Sequence, residues 1–160
     1  MRELIRDVLP AFEIGNIRTS NDGSRAFEEM RYFAADIVIV DWLMSPMDGL
    51  EFLRRIRNDD DSPNPYVPII MLTAYSDIER LKACRDAGVT EFLAKPFTPA
   101  TLYGRLVSVV EDQRAYVRCD NYFGPDRRRL ERAFVGMDRR AGGTVVNIDS
   151  TQSLGRHLSA

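Results

Sequence analysis

Three short apolar runs in this chain each end in a polar residue, and the three polar residues form a chemically useful set. Ile37–Val40 runs into Asp41, Ile69–Leu72 into Thr73, and Phe92–Ala94 into Lys95. Such runs, with many β-branched residues among them, suit strands buried on both faces. Helical patterns separate them, which predicts parallel strands whose C-terminal ends share one edge of a sheet. Open α/β sheets place their sites at that edge. A carboxylate, a hydroxyl and an ammonium gathered there would suit an anionic group carried on Asp41. The hydroxyl would donate to it and the cation would neutralise it.

The loop Asp41-Trp42-Leu43-Met44-Ser45-Pro46-Met47-Asp48-Gly49 resembles the segment after the phosphoacceptor aspartate in receiver domains of two-component response regulators. Leu72-Thr73-Ala74 resembles that family's switch segment, and Lys95-Pro96-Phe97 resembles its lysine–proline turn. The intervals of 32 and 22 residues between Asp41, Thr73 and Lys95 are also similar to the family's. The resemblance covers roughly residues 1–118. It implies a flavodoxin-like α/β fold, with a parallel sheet and helices on both faces. It also implies phosphorylation of Asp41 by a histidine kinase or phosphotransfer protein, assisted by Lys95, and signalling to a downstream protein partner. Thr73 and Phe92 would be the switch residues, and Lys95–Pro96 a cis peptide. A single-domain regulator without enzymatic activity, working in the cytoplasm, is the expectation. Two readings stand for Thr73, switch hydroxyl or loop cap, and two for Phe92, switch aromatic or plain core.

The departures matter as much. Receiver domains open with a strand ending in two acidic residues that hold magnesium. Here Leu4, Ile5, Val8, Leu9 and Phe12 follow Met1 at helical spacing, with no strand or acidic pair before them. Of the family's Mg2+ ligands, Asp41 and the Leu43 backbone carbonyl remain. Strands about Ile17 and Val38 should then flank a gap, because unpaired strand edges are costly to bury. Either the sequence is a truncated version of a longer product or something repairs the gap: direct pairing of those strands, insertion of Thr144–Asp149 from the C-terminal segment, or association with a second copy, failing which no stable fold is expected. A rival to the phosphorylation reading follows: a phosphorylation-independent binding or dimerisation module. Leu43 also departs from the more usual polar residue two places after the aspartate. Trp42, the only tryptophan, is either a recognition residue or a lid.

The elements that must position these residues are readable in turn. A strand is expected at Asn16–Ser20, and a helix around Ala26–Met30 after the Asn21-Asp22-Gly23 turn. Gly49 leads into a helix with Leu50, Leu53 and Ile56 inside. Ser76 or Asp77 can cap a helix through Ile78, Leu81, Cys84 and Ala87, which Gly88 ends. Thr98-Pro99 is a helix start, and that helix is expected to run to about Arg118. Beyond Asp120 the periodicity is lost, which predicts a receiver unit over 1–118 and an Arg-rich, partly disordered tail over 119–160.

Composition narrows the function classes. The 160 residues are 44% apolar, ordinary for a globular protein. No apolar run approaches a membrane span. His157 is the only histidine, and Cys84 and Cys119 have no metal-type spacing, which excludes histidine-based catalysis and a zinc site. Residues 1–112 carry 13 basic and 19 acidic side chains, while residues 113–160 carry nine arginines against five acids. The tail reads first as solvated or self-docking; as a binding segment, it suits an acidic protein surface better than nucleic acid. The tail lacks helix-turn-helix length, zinc ligands and aromatic–basic interleaving.

Overall fold

The computed structural model describes residues 2–74, 78–112, 114–127 and 144–146. Its centre is a parallel sheet in the order β1 (Val38–Asp41), β2 (Ile69–Ala74), β3 (Glu91–Lys95). The register pairs Asp41 with Leu72, and Thr73 with Ala94, so all three chemical residues reach the same edge. β2 is buried from Ile69 to Thr73 because both faces are covered. Its side chains alternate between two cores. Ile69 and Met71 join Phe27, Phe52, Leu53 and Ile56 on one side. Ile70 and Leu72 join Ile5, Leu9, Leu102, Leu106 and Val109 on the other.

Among the described residues, five α-helices clothe the sheet: α1 (Arg2–Val8), α2 (Gly23–Glu29), α3 (Gly49–Asn58), α4 (Ile78–Asp86) and α5 (Pro99–Val110). Their starts follow local chemistry. Asp22 accepts from the Ser24 and Arg25 amides, and Asp48 from that of Glu51 at 2.7 Å. Thr98 and Thr101 cap each other reciprocally ahead of Pro99. Gly88, at φ +89°, turns the chain after α4 as expected. The caps proposed at Ser76 and Asp77 lie outside the described residues. α1 buries Ile5 and continues into a 3-10 turn, Leu9–Phe12.

Several expectations are corrected. Residues 16–20 form no strand. Glu13 and Asn16 both take positive φ, and Ile14 and Ile17 lie against the α1–α5 core. A strand persists only with a ladder partner, and among the described residues β1 pairs with β2 alone. Direct pairing of the Ile17 and Val38 segments therefore does not occur. Nor do residues 144–146 enter this sheet. Residues 144–146 form β6 (Thr144–Val146), antiparallel to β4 (Tyr116–Cys119). Asp149 lies outside the described residues, as does most of the Arg-rich stretch.

α5 ends at Val110 rather than near Arg118. The chain then folds back as a hairpin of β4 and β5 (Tyr122–Pro125), closed by Asp120-Asn121. The expected boundary after residue 118 falls inside β4. The hairpin packs beneath the sheet, at the end away from Asp41. Tyr66, Tyr116 and Phe123 stack edge to face, with centroids 5.2–5.8 Å apart. The Tyr116 hydroxyl donates to the Tyr66 carbonyl at 2.7 Å. Arg57, only 1% exposed, donates to the carbonyls of Gly88 (3.0 Å) and Pro65 (2.7 Å) and lies 5.4 Å from the Tyr116 ring. Its Nη2 has no hydrogen-bond partner. Arg114 reaches the Thr90 carbonyl at 3.0 Å and pairs with Asp112.

Candidate functional site

The site is built where β1, β2 and β3 end. Asp41 closes β1, and its Oδ2 is bonded to Lys95 Nζ. The pair is partly wet, at 31% and 24% exposure. The Leu43 amide donates to Asp41 Oδ1 at 3.2 Å, folding the loop back on the carboxylate. Lys95 is brought there by its place at the end of β3 and by the turn at Pro96. The Lys95–Pro96 bond is cis, as the resemblance implied; Ser45–Pro46 is cis as well, which no sequence signal indicated.

Gly49 explains how the loop returns to the strand. Its amide donates to the Trp42 carbonyl at 3.0 Å. A Cβ on Gly49 would stand 2.4 Å from the Asp41 carbonyl oxygen. Only glycine lets α3 begin directly on the strand end.

Thr73 is buried at the same edge, and its hydroxyl donates to the neighbouring Ala74 carbonyl at 3.1 Å. It therefore reaches the site's edge without touching the Asp41–Lys95 pair directly. Phe92 is partly buried against the α2–α3 core. Trp42 is 8% exposed and belongs to that core, so it seals the base of the loop. The Arg80 guanidinium of α4 lies 5.8 Å from its ring. Leu43, at 72% exposure, projects into solvent beside the carboxylate. Cys84 is buried inside α4, and burial pushes its thiol up to about 12, so it is core rather than reactive.

The metal question turns on the donor set. Magnesium requires several oxygen ligands in near-octahedral geometry. Here one carboxylate, already bonded to Lys95, and the Leu43 carbonyl are the available pieces. No group of three or more metal-ligating side chains occurs among the described residues. The residues present do not fit a magnesium cage. Arg57 and the hairpin escaped the sequence reading, as did the close approach of Gly49 to the Asp41 carbonyl. The Tyr116-Val117 and Tyr122-Phe123 pairs around Asp120-Asn121 were the available hairpin signal.

A flavodoxin-like sheet with an aspartate, a threonine and a cis-proline lysine at one edge defines the receiver class. The response regulator receiver domain family matches residues 1–107, and the chain belongs to it: a CheY-like module of two-component signalling. Chemotaxis protein CheY-3 of Vibrio cholerae is 32% identical over 111 residues, 69% of this chain and 84% of that protein. The cyclic di-GMP phosphodiesterase response regulator RpfG of Xanthomonas campestris is 28% identical over an alignment of 164 positions, gaps included, that covers 93% of this chain but 42% of that protein. The receiver domain of the sensor histidine kinase PA1611 of Pseudomonas aeruginosa superposes with TM-score 0.60 at 27% identity, covering 69% of this chain and 88% of that one. That structure holds a magnesium ion in its active-site cleft. No helix among the described residues is long and apolar enough to cross a membrane.

Proposed function

We propose that Asp41 accepts a phosphoryl group from a histidine kinase or phosphotransfer protein and that the face of α4, β3 and α5 reports this state to a protein partner in the cytoplasm. The supporting observation is the bond between Asp41 Oδ2 and Lys95 Nζ, with Thr73 at the same edge. A carboxylate oxygen of Asp41 forms the bond to phosphorus as the donor's bond to phosphorus breaks. Lys95 neutralises charge that spreads over the phosphoryl oxygens. The Thr73 hydroxyl leaves the Ala74 carbonyl for a phosphoryl oxygen, and Phe92 follows on the same strand system. This is a two-state element biased by a local charge. The receiver unit extends through the hairpin to about residue 126.

The test is intact-mass measurement after incubation with acetyl phosphate, with and without magnesium. One added phosphoryl group that is absent in Asp41→Asn supports the reading. No adduct under either condition overturns it. The thin donor set for a metal favours a second reading, a receiver-like binding or dimerisation module that works without phosphorylation. It predicts unchanged partner binding or self-association in Asp41→Asn.

A further inference from the structure

We propose that α4 is a lever whose two ends are the Asp41 loop and the β4–β5 hairpin, so that the seating of the hairpin and the arrangement of the site are coupled. α4 is the weakly held helix. It buries only Cys84, whereas α3 buries Phe52, Leu53, Ile56 and Arg57. A groove of about 560 Å³ between α3 and α4, lined by Arg54, Asn58, Ala83, Asp86 and Ala87, reaches Asn121 of the hairpin. With Cys84 as its one buried side chain, the body of α4 can tilt at little packing cost.

Its ends are anchored instead. Near the N-terminus, Arg80 lies over Trp42, the residue that follows Asp41. At the C-terminus, Asp86 pairs with Arg127 at 2.8 Å, and Arg127 also lies 4.7 Å from the Tyr122 ring. Gly88, which turns the chain out of α4, meets the hairpin backbone to backbone. A Cβ on Gly88 would lie 2.3 Å from the Phe123 carbonyl oxygen, and one on Gly124 would lie 2.5 Å from Gly88 Cα. Such a contact transmits displacement because neither side has a side chain to yield. Beyond the hairpin, β6 pairs with the other edge of β4, so movement at α4 reaches the segment downstream of the receiver.

The inference goes beyond phosphorylation of Asp41 and stands without it, so its test uses no phosphodonor. Coupling is reciprocal by linkage, and both directions can be read in the full chain. Gly124→Ala perturbs the hairpin end, and Trp42, the only tryptophan, reports at the site through its emission maximum and acrylamide quenching. Arg80→Ala perturbs the other end, and hydrogen exchange of the Val117 and Tyr122 amides, which sit in hydrogen-bonded pairs of the β4–β5 ladder, reports on the hairpin. The expected result is increased Trp42 quenching in Gly124→Ala and about fivefold or faster hairpin exchange in Arg80→Ala. Leu106→Val, in the opposite core, controls for general loosening and should do neither. If Gly124→Ala does not fold, Arg127→Ala replaces it. Faster hairpin exchange in the hairpin variant with Trp42 unchanged overturns the proposal, as does unchanged hairpin protection in Arg80→Ala.

Discussion

Replacing Lys95 by alanine leaves the Asp41 carboxylate without its cation, and the structure sets how much that costs. Breaking a fully buried pair costs about 3–5 kcal/mol, because the remaining charge is stranded. An exposed pair contributes about 0.2–1 kcal/mol. At 31% and 24% exposure, water reaches both partners but does not surround them. The expected loss is intermediate, about 1–2 kcal/mol, which lowers the midpoint of thermal unfolding by about 3–8 °C for a chain of this size. Asp41→Asn keeps an oxygen for the Leu43 amide and removes the stranded charge. Adding it to Lys95→Ala should therefore recover about half the loss. Urea unfolding of both single variants and the double variant closes the cycle, with an expected coupling of about 1 kcal/mol. Additivity within about 0.3–0.5 kcal/mol would refute the reasoning, since the two side chains would then not sense each other.

Gly49→Ala should destabilise the protein by about 1–3 kcal/mol, the range for forced overpacking, because its methyl meets the Asp41 carbonyl rather than a movable side chain; an unchanged urea midpoint would show that the start of α3 shifts freely. Titration with a disulfide reagent at neutral pH should modify Cys119, which is exposed, and spare the buried Cys84 until denaturant is added; two reactive thiols in the native protein would contradict the packing of α4. Burial chiefly pushes the Tyr122 phenol up to about 12, and the Cys84 thiol likewise. Both folded values exceed the unfolded ones, so the unfolded state releases its protons first and stability falls as pH rises. The loss should run from about pH 9 for Cys84 and about pH 10 for Tyr122 toward about pH 12, and Tyr122→Phe should flatten the upper part of the slope in urea unfolding followed against pH.

The parts of the fold that were legible in the sequence are those where a local signal and tertiary packing agree. Val38–Val40 and Ile69–Leu72 are apolar runs, the second buried because both faces of the sheet are covered there, and Thr98-Pro99 caps a helix wherever it lies. Asn16–Ser20 has the composition of a strand, but composition does not supply a ladder partner. The extent of α5 was overread because Tyr116 and Val117 continue its apolar content while changing the period from helical to alternating. Arg57 was invisible for a different reason. An arginine on an amphipathic helix is ordinarily on the solvated face, and its burial depends on two carbonyls and an aromatic ring from distant segments. The Asp41–Lys95 bond was readable because both residues end strands that flank β2 and finish at one edge, where the long lysine side chain can span the distance. Thr73 shares that edge, yet the rotamer that turns its hydroxyl to Ala74 is not written in spacing.

The hairpin beneath the sheet bears on where this module can be cut and spliced. The family match ends at residue 107, and a chimaera joined there would lose Tyr116 and Phe123. Tyr66 would lose its ring partners, and the guanidinium of Arg57 would lose the ring lying over it. The exposed aromatic and half-partnered cation would sit on the underside of the sheet, an invitation to aggregation. Junctions placed after Asp126, whose amide bonds the Ala115 carbonyl at 2.8 Å, keep that underside closed. A designed fusion that keeps this packing therefore has to carry more than the sheet and helices alone.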